Sequence, residues 1–104
     1  MIAAVVEQYR EELHDLCRRF NVERLDVFGS ALNEKEFDRQ RSDIDFLVEF
    51  KPMDPVHHAR AYFGLLAVLQ DMFGRPIDLV EIRAVKNPYL LESISKSRRQ
   101  IYAA

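Results

Sequence analysis

One cysteine, Cys17, stands among the 104 residues of this chain. That scarcity excludes an internal disulfide and any zinc site built from several thiolates. Cys17 shares a helical stripe with Leu13, Leu16 and Phe20 and reads as a small buried hydrophobe. Long apolar runs are missing as well. Glu7, Arg10, Glu11 and Glu12 interrupt the N-terminal segment, and nothing approaches the roughly 20 residues of a membrane span. No basic region precedes an apolar stretch as it would in a signal peptide, so the cytoplasm is the expected location. A surplus of positive charge is also absent: 15 Lys and Arg face 17 Asp and Glu, a net charge of −2. Domains that grip a nucleic-acid backbone by electrostatics alone are usually strongly basic, so direct nucleic-acid binding is not expected. There is no repeat, low-complexity tract or linker, and the length suits a single domain over residues 1–104 with one modest core.

What is present is the patterning of an ordinary globular protein, 48% hydrophobic and 31% charged. Ile2, Val5, Val6, Tyr9, Leu13, Leu16, Cys17 and Phe20 fall at helical spacing, and Asn21 is a plausible stop. Val22 to Phe28 reads as a strand with Leu25 and Val27 on one side and Asp26 and Phe28 on the other. Gly29-Ser30 turns the chain, and the polar stretch 33–42 reads as a surface loop with room for a short helical turn before it. Asp43 to Phe50 is the strongest strand: Ile44, Phe46, Val48 and Phe50 share a core face, while Asp43, Asp45, Leu47 and Glu49 share the other. Asp54-Pro55 supplies a cap and a first helical residue. The helix that follows runs to about Phe73 with Val56, Ala59, Phe63, Leu66, Leu69 and Phe73 expected inward, and Gly74 ends it. Ile77 to Ile82 reads as a third strand, and Pro88 opens a last helix expected to reach about Tyr102. Together these elements suggest a small sheet covered by helices.

The segment Gly29 to Asp45 carries the chemistry. Asp43 and Asp45 project from one side of a strand, roughly 7 Å apart, a spacing that suits carboxylates sharing hard cations. Asp78 also stands opposite a buried face, on the third strand. If that strand neighbours the second, three carboxylates converge, as in phosphoryl-transfer sites with two metals about 3.5–4 Å apart. Asp-x-Asp alone is common on solvated sheet faces. Aspartate is a poor strand residue, however, and placing three in two strands opposes local propensity in the way functional sites do. Gly29 would let a phosphate approach the backbone, and Ser30 offers a hydroxyl and an N–H. His57 and His58 diverge by about 100° on a helix and, with His14, read as surface or helix-end residues. Lys96, Arg98 and Arg99 read as cations in the last turns of the final helix, complementing its dipole.

Phe28-Gly29-Ser30, a spacer, Ser42-Asp43-Ile44-Asp45-Phe46-Leu47-Val48-Glu49-Phe50 and the later Ile77-Asp78-Leu79-Val80-Glu81 form a set. With Asn87-Pro88-Tyr89-Leu90 and the closing Tyr102-Ala103-Ala104, the chain resembles the minimal nucleotidyltransferases (MNT) of the polymerase-β-like nucleotidyltransferase superfamily. That resemblance implies an α+β fold, a small mixed β-sheet covered by helices in the order α-β-α-β-α-β-α. It also implies that Gly29 and Ser30 contact a nucleoside triphosphate. Asp43, Asp45 and Asp78 would be catalytic and would hold Mg²⁺ as a pair of ions, with ATP as substrate and Asp78 beside the incoming hydroxyl. The implied partner is a HEPN-domain protein, typically an RNase toxin. The MNT chain would act as its antitoxin, in some members by moving AMP onto a tyrosine of the toxin. The alternative is a non-catalytic antitoxin that neutralises its HEPN partner by masking it. A third class, modification of a small molecule such as an aminoglycoside, generally needs extra domains or dimeric pockets. Where many relatives carry an arginine after Gly-Ser, this chain reads Ala31-Leu32-Asn33-Glu34-Lys35, leaving Lys35, Arg39 and Arg41 to supply that charge.

Overall fold

The computed structural model describes residues 4–29 and 43–104. Ser30 and the spacer with Lys35, Arg39 and Arg41 lie outside the described residues, as does any helical turn between the first two strands. The N-terminal segment folds as two helices, α1 (Ala4–Glu7) and α2 (Arg10–Arg19), instead of the single helix expected. The break falls at Gln8-Tyr9, where the Tyr9 N–H donates to the Val6 carbonyl at 3.1 Å and tightens the turn. The Tyr9 ring then meets Phe73 edge-on, with centroids 5.2 Å apart. Asn21 does stop the helix, at φ 58°, a left-handed geometry that asparagine tolerates.

Strands β1 (Val22–Phe28) and β2 (Ile44–Phe50) pair antiparallel, and helix α3 (Pro55–Phe73) follows. Asp54 caps α3 by accepting from the Val56 and His57 N–H groups at 3.1 and 3.0 Å, and Gly74 closes it at φ 61°. Strand β3 (Ile77–Glu81) returns parallel to β2, as a helical crossover allows. A 3-10 turn at Ile82–Ala84 leads to α4 (Pro88–Ser97), capped by Asn87. The chain ends in β4 (Arg99–Ala103), which pairs antiparallel with β1 and completes a mixed sheet in the order β3-β2-β1-β4.

Two expectations give way here. The last helix stops at Ser97, and residues 99–103 are a strand, so the chain ends in β where α was expected. Ile94 and Ile101 sit seven residues apart and mimic helical spacing, but Ile101 and Tyr102 are adjacent and both buried. Pairing with the open side of β1 overrides the local period. The register of β4 slips between its pairings with Leu25 and Asp26, which leaves Ile101 as a bulge residue. Its carbonyl is met by His14 Nε2 at 2.8 Å and by Arg10 Nη1 at 3.4 Å, giving His14 a structural task. The second correction concerns α3. Its inward stripe is Ala61, Leu65, Leu69 and Phe73, whereas Val56, Ala59 and Phe63 face outward. Leu66 is partly buried against the core.

The main core lies on one face of the sheet, joining Leu25, Val27, Ile44, Phe46, Val48 and Leu79 to the helices α2 and α3. Cys17 belongs to it, and burial pushes its thiol up to about 12, as befits a packing residue. The other face carries Asp26, Phe28, Asp45, Leu47 and Asp78, because Asp26 is opposite Leu47, Phe28 opposite Asp45, and Asp45 opposite Asp78. Here α4 crosses from the end of β3 to the start of β4. Arg98, at its C-cap, donates Nε to Asp26 Oδ2, and Arg24 Nε donates to Asp26 Oδ1 at 3.0 Å. Asp26 is 0% exposed. Arg98 is therefore a structural clamp and not only a helix-end cation.

Removing one partner of a buried ion pair strands a charge. Arg98→Ala is expected to lower unfolding stability by about 3 kcal/mol in urea titrations, with Arg98→Lys recovering part of the loss.

Candidate functional site

Three strands bring the candidate residues together. At the end of β1, Gly29 turns the chain at φ 73°, a conformation that glycine adopts without strain. A methyl group added there would overlap Asp45 Oδ2, so the turn runs directly against that carboxylate. The contact follows from register: Phe28, the residue before Gly29, lies opposite Asp45 near the start of β2. On the other side, Asp45 is the parallel-register partner of Asp78 in β3. Neighbouring strands lie about 4.8 Å apart, so both carboxylates leave the sheet on one face as close neighbours. Asp43, one residue before β2, is exposed and belongs to the same cluster.

The electrostatics record the crowding. The Asp45 carboxyl is pushed up to about 6, first by burial and then by the negative charges of Asp78 and Asp43. Asp26 on the same face, two positions along β1 and clamped by two arginines, shows the opposite arrangement.

The donor chemistry fits a hard divalent cation, since all three groups offer carboxylate oxygens and their repulsion would be relieved by positive charge. Among the described residues no three or more His, Cys, Asp or Glu side chains form a ready-made metal cage. Mg²⁺ is usually bound by one or two carboxylates together with substrate phosphates. The parallel neighbourhood of Asp45 and Asp78, conditional in the sequence, is thus present.

Other titratable groups lie elsewhere. His58 Nε2 meets Glu81 Oε1, and His57 Nδ1 meets Asp54 Oδ2 at the start of α3. Glu49 is half-buried, 3.8 Å from Arg83. Sequence reasoning missed the Asp26 clamp. Its one local sign was an aspartate within an otherwise ordinary strand, because Arg98 comes from 72 residues away.

Comparisons with known proteins place the chain in a family and a fold. The family described as "Nucleotidyltransferase domain" matches residues 8–101. A Methanocaldococcus jannaschii protein named as a protein adenylyltransferase is 34% identical over 96 residues, spanning 91% of this chain and 92% of that protein. A second from the same organism, similarly named, is 26% identical over 95 residues, with the same coverage. Among solved structures, a minimal nucleotidyltransferase superposes with a TM-score of 0.67 at 29% identity, over 95% of each chain. A toxin–antitoxin complex with AMP-PNP gives 0.67 at 20% identity, covering 91% of this chain and 73% of that one. The MNT antitoxin complex with a tri-AMPylated HEPN toxin from Shewanella oneidensis gives 0.64 at 19% identity, covering 94% and 72%. At these lower identities the likeness is one of fold.

Two outcomes check the site. Gly29→Ala is expected to cost about 1–3 kcal/mol in denaturant midpoint, because a side chain would be strained there and would displace Asp45. Asp45 ordinarily titrates at 3.8 and here near 6, so its penalty to folding is absent below about pH 4, grows between the two values and is complete above the higher. Metal-free Asp45→Asn should therefore melt above the wild type at neutral pH, with the gap closing as the pH falls towards about 4.

Proposed function

Because this chain belongs to the nucleotidyltransferase domain family, we propose that it transfers AMP from ATP, with Mg²⁺, to a tyrosine hydroxyl of a HEPN-domain toxin and so acts as antitoxin. The adenylyltransferase names of its full-length relatives support the reaction. The toxin–antitoxin neighbours, one holding AMP-PNP and one with an AMPylated toxin, support the donor and the kind of acceptor. The observation that carries the reading is the row formed by Gly29 just after β1, Asp45 on β2 and Asp78 on β3.

That row orders the reaction. Gly29 and Ser30 would offer backbone N–H groups, and Ser30 its hydroxyl, to the β- and γ-phosphates on one flank. Asp43 and Asp45 would hold Mg²⁺, which when bound neutralises phosphate charge and lowers the pKa of a coordinated hydroxyl. Asp78 is exposed on the opposite flank and positions the acceptor hydroxyl, accepting its proton. The hydroxyl oxygen forms a bond to the α-phosphorus from the Asp78 side, the bond from that phosphorus to the bridging oxygen breaks, and pyrophosphate leaves towards Gly29. Attacking hydroxyl and leaving pyrophosphate thus stand in line across β2.

The test is incubation of the chain with α-labelled ATP, Mg²⁺ and the product of the adjacent gene, expected to be a HEPN-domain protein. Label should become covalently attached to that protein. Asp78→Ala should slow the transfer by about 10²–10⁴-fold, and the double variant Asp43→Ala/Asp45→Ala should abolish it. An acceptor that stays unlabelled yet is inhibited equally well by the double variant would replace transfer with masking.

A further inference from the structure

Helix α3 carries large apolar side chains on two sides. Its buried stripe, Ala61, Leu65, Leu69 and Phe73, packs on the sheet. On the other side Val56 is 59% exposed and Phe63 is 66% exposed. At 3.6 residues per turn, Val56, Arg60, Phe63, Ala67 and Asp71 fall within an arc of about 80°. All five are exposed. Large apolar side chains left exposed together on one helix face mark a surface that a partner can cover.

The two charges in this arc say what covers it. Histidines aside, Arg60 and Asp71 are the only charged residues in the 19 residues of α3. We propose that the outward face of α3 pairs antiparallel with α3 of a second copy of this chain, about a two-fold axis between Leu65 and Leu66. In that register Arg60 lies level with Asp71 of the second copy, and the reverse holds by symmetry. Phe63 lies level with Val68 of the second copy, one residue from the small Ala67, and Ala67 lies level with Gly64, so small residues beside Phe63 let the helices approach closely. One register therefore satisfies charge and size together.

The sheet edges do not compete for this role. On β3 the Leu79 carbonyl accepts from Tyr62 Oη at 2.6 Å, and on β4 the Ile101 carbonyl is met by His14 and Arg10. Side chains from helices thus occupy a carbonyl on each outer strand, a device that discourages strand-to-strand joining. Because α3 covers the face opposite Asp45 and Asp78, the pairing leaves both carboxylate clusters open, pointing away from each other. A single helix pair falls short of the about 1,200 Å² buried by stable interfaces, so the dimer is reversible and concentration-dependent.

Sedimentation velocity of the full chain up to near-millimolar concentration tests this. The wild type should shift from monomer to dimer. Phe63→Glu should remain monomeric with an unchanged far-UV CD spectrum, since Phe63 contributes little to the core. Arg60→Asp or Asp71→Arg alone should raise the dissociation constant about tenfold or more by placing like charges level, and the double exchange should restore it. A wild type that stays monomeric throughout overturns the proposal. So does a dimer indifferent to Phe63→Glu, or a double exchange that fails to rescue the single ones.

Discussion

The parallel pairing of β2 with β3 is the constraint on which the proposed site depends. It sets Asp45 beside Asp78 in register, and the antiparallel pairing with β1 sets the Gly29 turn against the same carboxylate. Neither arrangement is favourable by itself, since like charges repel and a partly buried carboxylate resists ionisation. The opposite face holds the strands in place: Ile44, Phe46, Val48, Ile77 and Leu79 alternate with these residues and pack beneath α2 and α3. Hydrophobic burial on one face thereby imposes electrostatic tension on the other.

Two of the aspartates on that tense face, Asp26 and Asp45, are treated differently. Asp26 is fully buried and has an arginine on each carboxylate oxygen, one from its own strand and one from the end of α4. That triad ties the C-terminal helix and strand to the sheet. Asp45, one strand over, feels burial and two further acids, all of which raise its affinity for a proton. A carboxylate that serves the fold is neutralised internally. A carboxylate proposed to meet a cation and phosphates is left for the ligand to neutralise.

Much of this was legible from local pattern. Alternation along Ile44 to Phe50 set the core face and the acid face correctly, and Asp54-Pro55 and Pro88 do start helices. Asp78 was recognisable as a strand acid, but its partnership with Asp45 depends on strand order, which no local pattern contains. The errors have physical causes. Residues 99–103 form a strand because β1 offered an open side, and Ile94 with Ile101 imitated a helical repeat. Helix α3 has two apolar faces, so periodicity alone could not tell which one meets the sheet. The Asp26 clamp joins β1 to the end of α4, far beyond any sequence window.

The central claim is that Asp45, Asp78 and the Gly29 turn form a nucleotide-Mg²⁺ site. It is tested most directly by following the Asp45 carboxyl carbon by NMR as pH varies. Without ligand its midpoint should lie near 6. With Mg²⁺ and a non-hydrolysable ATP analogue it should fall by more than about one unit, as the added positive charge favours the ionised form. An Asp45 midpoint that does not move when both are added would contradict the account.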